Sequence, residues 1–360
     1  MTPIYQITAN GADITANLKG RLLDLTITDQ RGFDSDSLEL TLDDTDAGII
    51  WPRRGVELSV KIGYAEESLF DHGKYVVDET AHSGAPDKVT IRAKAPDLLA
   101  QFKGAKTRAW DKTTLGAVIQ QLASDNKLTA AISPKLAAEK VDHFDQTQES
   151  DINVLTRLGE RYGATGKIAD GKLIFAEAGK AETVSGKPMP VVKIDRSQID
   201  THSYTEAGRG EYTGVEAVWH DYREAKRKKA TATADPAKAK RKSTKGVKPP
   251  KMVVSNEEET AGSADNVKRL KQTFPDEATA KAAAAAEWLR LQRNKETLEL
   301  DIKHGMPGLR AETRIPVTGI RPWINGDWIA LEVTHSLSAS SGLTTRVRLE
   351  RPDDYNAEAE

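Results

Sequence analysis

Seven histidines, His72, His82, His143, His202, His220, His304 and His335, are scattered along the chain. No two stand four residues apart, the spacing that sets two imidazoles on one helix face to hold zinc. The chain has no cysteine, which excludes disulfides, thiolate metal sites and a cysteine nucleophile. It also lacks a GxSxG turn, a P-loop and a GxGxxG opening a helix, so the usual nucleophile and phosphate signatures are absent. The acidic groups Asp43 with Asp44 and Glu257 to Glu259 are contiguous in polar stretches, whereas a glycosidase needs two acids in opposed environments across a cleft. These residues imply a protein that is not an enzyme and that needs no metal or cofactor.

One cluster of charge stands out. Ala225 to Lys251 carries eleven cations, Lys226, Arg227, Lys228, Lys229, Lys238, Lys240, Arg241, Lys242, Lys245, Lys248 and Lys251, against the single Asp235. Such a stretch can neutralise phosphates, but it has no interleaved aromatics on which bases would stack. The whole chain is balanced, with 52 basic and 54 acidic residues, and shows no helix-turn-helix to read a groove. The stretch is therefore expected to be a solvated insertion loop between two strands, outside any core, that meets an acidic protein partner. Nucleic acid is the less favoured partner, and a DNA-binding late-gene regulator acting through this loop is the alternative.

The elements that must carry these residues follow from periodicity. At 360 residues the chain suits two or three domains. No apolar run approaches the roughly 18 residues of a membrane helix, and Met1 to Gly20 has neither the basic start nor the apolar stretch of a signal peptide. From Arg21 to Arg92, Leu23, Leu25 and Ile27, then Leu38, Leu40 and Leu42, then Val56, Leu58, Val60 and Ile62, and finally Val89 and Ile91 alternate with polar residues, which predicts strands. The period changes in 113–126, where Leu115, Val118, Ile119 and Leu122 form a helical stripe capped by Thr113 or Thr114. A second helix is predicted over 150–164, with Ser150 as cap, Ile152, Leu155 and Leu158 as apolar face, and Gly163 as stop. Ala169 to Lys172 marks a hairpin turn. A third helix is predicted over 276–295, started by Pro275 and Asp276, with a Trp288, Leu289 and Leu291 contact edge.

The expected class is α+β, mainly β: two similar small β-barrel domains with an intervening α/β domain. The expected boundaries are 1–105 for the first barrel, 106–178 for the α/β insertion, and 179–360 for the second barrel, bearing the basic loop 225–251 and the helix 276–295. An internal repeat supports the duplication. Gly73 to Ser83 can be laid on Gly326 to Ser336 with glycine, aromatic, branched apolar, Glu, His and Ser coinciding. A three-residue insertion then brings Ile91 and Arg92 onto Val347 and Arg348, and upstream Val56 to Ile62 is matched to Ala311 to Val317. The repeat gives His82 and His335 a shared structural role at a polar strand end.

The segment HFDQTQESDINVLTRLGERYGA (143–164), following WDKTTLGAVIQQLASDNKL (110–128), resembles the linked motifs of the late control D family, the baseplate hubs of contractile phage tails and tailocins, related to the hub part of type VI secretion spike proteins. RRGVELSVKIGY, GKYVVDE, the run ending at Leu98 and Leu99, and INGDWIALEVTHSLSASSGLTTRVRLE are similar to that family too. Val154 departs from it, standing where the family often has an aromatic. The resemblance implies a homotrimer whose six near-equivalent barrels join a sixfold tail tube to a threefold central spike. It also implies contacts with tube, spike and baseplate wedge proteins and residence in the virion tail baseplate after assembly in the host cytoplasm. With the chain ending at Glu360, the spike is expected to be a separate protein, with no fused lysozyme-like domain.

Overall fold

The period-two segments do form strands, since alternation lets one face of each segment leave water while the other stays solvated. The computed structural model describes residues 2–32, 36–95, 102, 104–169, 171–207, 212–221, 226–234, 252–255 and 266–353. The first region supplies β1 (Pro3–Ala9), β2 (Ala12–Asp13), β3 (Leu22–Gln30), β4 (Ser37–Asp43), β5 (Glu57–Tyr64), β6 (Phe70–Ser83) and β7 (Lys88–Lys94). The middle region supplies β8 (Ala105–Thr114), β9 (Thr129–Ile132), β10 (Lys140–Ser150), β11 (Ala164–Ala169) and β12 (Lys172–Glu177). The last region opens with β13 (Ile194–Asp195), β14 (Ile199–Glu206), β15 (Gly214–Asp221), β16 (Lys226–Ala234), β17 (Met252–Ser255) and β18 (Val267–Phe274). It closes with β19 (Glu296–Ile302), β20 (Arg314–Thr318), β21 (Gly326–Ser338) and β22 (Gly342–Glu350).

Strands of the first and last regions form one 13-stranded sheet in the order β14-β19-β22-β21-β3-β4-β7-β6-β5-β1-β2, with β20 on β21 and β13 on β20. Two closed barrels were expected, but the ladder has two ends and no closed barrel is found among the described residues. Leu25, Ile27, Leu38, Leu40, Val60, Ile62 and Tyr75 fill one core, and Leu298, Leu300, Ile315, Trp328, Val333 and Val347 fill another.

The internal repeat has a structural counterpart. The order β3-β4-β7-β6-β5 recurs as β14-β19-β22-β21-β20, antiparallel throughout, while the flanking strands differ, β1 pairing antiparallel with β5 and the short β13 parallel with β20. In β6 the register against β7 slips between Val77 and Glu79, and in β21 the register against β22 slips between Ala330 and Glu332, the matched positions. After each slip Glu79 faces Arg92 and Glu332 faces Arg348. A bulge re-aims a strand at one point, so its recurrence at one place ties the two copies together residue by residue. The upstream match needs correction by two residues. Leu58 pairs with Tyr75 as Ile315 pairs with Trp328, so Val56 to Ile62 corresponds to Thr313 to Gly319. A slip of two keeps every side chain on the same face, which is why the alternation alone did not expose it.

In the middle region Thr114 caps the helix Leu115–Asp125 through the Ala117 amide, and Ser150 caps the helix Asp151–Tyr162 through the Asn153 amide. Gly163, at φ 63°, ends the second helix in the left-handed conformation that glycine tolerates. Val154, Leu155 and Leu158 are buried, while Ile152 is only partly so. Fully buried Asp151 receives Lys106 Nζ at 2.6 Å, Arg108 Nη2 at 2.8 Å, Asn126 Nδ2 at 2.9 Å and Gln146 Nε2 at 2.9 Å. Burial alone would raise this carboxyl, but these donors hold it below the usual carboxylate range. The conspicuous DQTQESD words thus encode a polar clasp between β8, β10 and both helices.

The basic stretch is not one loop. Residues 226–234 are β16, inside a separate four-stranded sheet, β17-β16-β15-β18. Its second half alternates small residues, and Ala230 and Ala232 are buried with Val215 and Ala217 against Ala280, Ala283 and Ala284 of the helix Glu277–Arg293. Alanine let the stretch pass for core-free, yet alanine on both sides is what allows a helix to lie close upon a sheet. Asp276 caps that helix through the Thr279 amide, and Trp288 is buried at its far end. A carboxylate at Ala232 would be buried without a partner. Ala232→Asp is therefore expected to cost more than about 3 kcal/mol, read as a lowered urea midpoint, whereas the same change at exposed Lys226 should leave the midpoint unmoved.

Candidate assembly interface

The two copies meet edge to edge along β21 and β3, in a register running from Glu332 opposite Gln30 to Ser338 opposite Asp24. The ladder continues one step further, where the Arg31 amide donates to the Leu331 carbonyl at 3.0 Å. Val333, His335 and Leu337 point inward from β21 and are buried, as are Leu25, Ile27 and Asp29 of β3. The inward row of β3 thus ends on a carboxylate, and that of β21 contains an imidazole.

Both are answered by partners from other elements. Lys167 Nζ on β11 lies 2.7 Å from Asp29 and 3.1 Å from Asp36, and the other Asp29 oxygen accepts the Ala311 amide at 3.0 Å. Burial would raise Asp29, but Lys167 outweighs it and the acid is held below its usual range; Asp36, more affected by burial and by Asp29, is raised. Arg31 makes ion pairs with Glu312 and with buried Glu350. Arg293, at the end of the Glu277–Arg293 helix, reaches the same Glu350 at 3.5 Å and Asp353 at 2.6 Å.

His335 is wholly buried: its Nε2–H donates to the Leu309 carbonyl at 3.1 Å and its Nδ1 accepts from Thr345 Oγ1 at 2.9 Å. His72 packs edge-on to it at 5.0 Å between ring centres and accepts from the Arg310 guanidinium at 2.6 Å. Burial, with the Arg310 charge beside them, lowers His72 to about 3 and His335 to about 4. Both are neutral. His82, expected to share the role of His335, is instead exposed on β6, because among the described residues no strand lies beside β6 there as β3 lies beside β21.

Among the predicted partner-binding cations, Lys226, Arg227 and Lys229 are exposed on the first half of β16, and Lys228 is half-buried with its ammonium 5.6 Å from the Trp219 ring. Lys229 pairs with Glu216 at 3.3 Å. Lys238, Lys240, Arg241, Lys242, Lys245, Lys248 and Lys251 lie outside the described residues. Among the described residues no cluster of acids and histidines could hold a metal, and no helix is long and apolar enough to cross a membrane. Sequence reasoning missed Asp29, Arg31, Lys167, Arg293 and Glu350. The signal for Asp29 was present, since it extends the inward row of Leu25 and Ile27.

The family model described as the phage tail baseplate hub (GPD) matches residues 39–341. The chain belongs to this baseplate hub family. It is 38% identical over 378 residues to the probable baseplate hub protein of Escherichia phage 186, covering 100% of this chain and 96% of that one. The fold is similar to that of a tail protein from Neisseria meningitidis MC58, at a TM-score of 0.67 and 14% identity, covering 98% of this chain and 97% of that one. It is also similar to an E. coli component of the type VI secretion system, at a TM-score of 0.50 and 11% identity, covering 92% and 73%. Baseplate hubs are structural components of the virion tail, and the relatives point to a structural rather than an enzymatic protein.

Two outcomes follow for this hub. Arg31→Ala removes the cation between Glu312 and Glu350, leaving half-buried Glu312 without it and buried Glu350 with Arg293 at 3.5 Å, at an expected cost of about 3 kcal/mol in chemical denaturation. The histidines, lowered in the folded state from 6.5, contribute stability that is whole above about pH 6.5. That stability is lost as pH falls towards about 4 for His335 and about 3 for His72, at about 1.4 kcal/mol per pH unit for each. His335→Gln should flatten part of this slope between about pH 6.5 and about pH 5.5, where ordinary carboxylates have hardly begun to protonate.

Proposed function

We propose that the chain is the hub at the tip of a contractile phage tail or tailocin, a homotrimer that joins the sixfold tail tube to the threefold central spike. The observation that carries this reading is the duplicated strand order with its bulge at matched positions. Two like units per chain become six like units when three chains close a ring, and a ring of six can meet sixfold symmetry on one side while the chains themselves keep threefold symmetry on the other. Each unit of five antiparallel strands is the barrel-like repeat, and the middle region lies between the two copies in sequence. The domain limits 1–105, 106–178 and 179–360 go with this reading, as do contacts with tube, spike and baseplate wedge proteins and assembly in the host cytoplasm.

The chemistry of the site suits a scaffold. Its histidines are neutral and spent on structural bonds, and its carboxylates are tied to Lys167, Arg31 and Arg293, so none is left as a free acid and base facing a cleft. The exposed cations of β16, Lys226, Arg227 and Lys229, offer a surface to an acidic partner in the baseplate. The test is mass by light scattering with electron images of the purified chain, alone and with its spike. A threefold ring with a lumen is expected, and a stable dimer in intact tail particles would refute it.

A further inference from the structure

We propose that β14 of one chain pairs with the open half of β6 in a second copy, repeating across the chain boundary the ladder that β3 makes with β21 within one chain. The proposal rests on the ring reading above and assigns its contact residues. Matched bulges equate Glu79 to Ser83 with Glu332 to Ser336. The same chain of registers equates β3 with β14. Thr26 faces Glu39, which faces Arg92, and Ser203 faces Glu299, which faces Arg348. Leu25 to Gln30 therefore correspond to His202 to Ala207. Applying the β21–β3 register to these equivalents sets Thr80 opposite Glu206, Ala81 opposite Thr205, His82 opposite Tyr204 and Ser83 opposite Ser203.

Both edges are open in the single chain. Among the described residues β14 pairs with β19 alone, and beyond Val77 β6 pairs with β7 alone. The backbone agrees in phase. In β21 the Ala330 amide donates to Thr313 and its carbonyl accepts from Glu312; in β6 the Val77 amide donates to Val56 and its carbonyl accepts from Gly55. The two strands thus leave the short partner strand at the same place, and only β21 then meets another. Exposure follows pairing: His335 is buried and His82 is not. Long unpaired edges invite addition of a further strand, and here the second copy carries the matching one.

The flanking loops point the same way. Within the chain, Gly308 sits against the Phe70 ring, and Arg310 bonds His72 and the Asp71 carbonyl. Counted from the matched backbone bonds, Gly308 and Arg310 correspond to Trp51 and Arg53; counted from the matched glycines, Phe70 corresponds to Trp323. Trp51 and Trp323 are 53% and 61% exposed, two large apolar side chains left in water at the places that touch inside the chain. A second copy covers Trp51 of one chain with Trp323 of the next.

Disulfide trapping in the full-length chain, which has no cysteine of its own, tests the register. The Arg31 to Leu331 bond makes Thr28 and Thr334 a non-hydrogen-bonded pair, the closer kind in an antiparallel ladder; Ala81 and Thr205 are its counterparts. Ala81→Cys with Thr205→Cys should, on oxidation, give a covalent species of three chains on a non-reducing gel. Neither single variant should do so, nor should Ala81→Cys with Glu206→Cys, whose side chains fall on opposite faces. A threefold mass in light scattering without the cross-link would overturn this interface and leave the ring reading standing. A cross-linked series running past three chains would keep the interface and overturn the ring. No intermolecular cross-link at any concentration, or one confined to a single chain, would overturn the proposal.

Discussion

A β-strand carries hydrogen-bonding groups along both edges, and the architecture turns on how each edge is satisfied. β21 shows the device most clearly. Its first residues, Gly326 to Ile329, pair with β20, and after the bulge at Ala330 to Glu332 the same edge takes β3 from the other copy. The bulge lets one long strand serve two short ones, because the extra residue turns the edge just where the first partner ends. Everything that joins the two copies, from the buried Val333 row to the ion pairs at Arg31, depends on β3 arriving in that register. A slip by one residue would turn Leu25 and Ile27 to the opposite face.

The polar groups at the seam add specificity more than net stability. Burying Asp29, Glu350 and His335 costs desolvation, and apolar residues of similar size would pack there at no such cost. A buried charge, however, tolerates only the arrangement that supplies its partner. Asp29 is satisfied by Lys167 from the middle region and by the Ala311 amide from the loop before β20. Three segments distant in sequence must therefore arrive together. His335 behaves likewise, being buried only because β3 is paired and holding the Leu309 carbonyl of that same loop.

Much of this was legible in the sequence because it depends on local periodicity. Leu115, Val118, Ile119 and Leu122 could form a buried stripe only as a helix, and Ser150 and Asp276 announced the helix starts they cap. The repeat was visible at Gly73 and Gly326, where β-strand words are strongest. The sheet's open course was not, because alternation says which face is inward and nothing about which strand comes next. Ala230 and Ala232 were misread for a related reason. Hydropathy weighs alanine as nearly neutral and judges it by its surroundings, which in β16 are cations and threonines, yet close helix-on-sheet packing selects alanine for its size. Asp29, Arg31 and Lys167 were hidden because each is defined by a partner far away in the chain.

The position of the four-stranded sheet explains why the second copy is the harder one to see. β3 and β4 are joined by residues 31–36, whereas their counterparts β14 and β19 are joined by residues 207–295. The insertion, with β15 to β18 and the Glu277–Arg293 helix, thus occupies one hairpin connection and leaves the shared five-strand order intact, as connections at the ends of strands allow. It is not detached from the seam. Arg293, at its exit, binds the same Glu350 that Arg31 binds from the first copy. The insertion therefore shares a buried carboxylate with the junction, so the lysine-bearing strand β16 is held by a fold element anchored where the two copies meet. A solvated loop would have carried the same charges without any fixed relation to the seam.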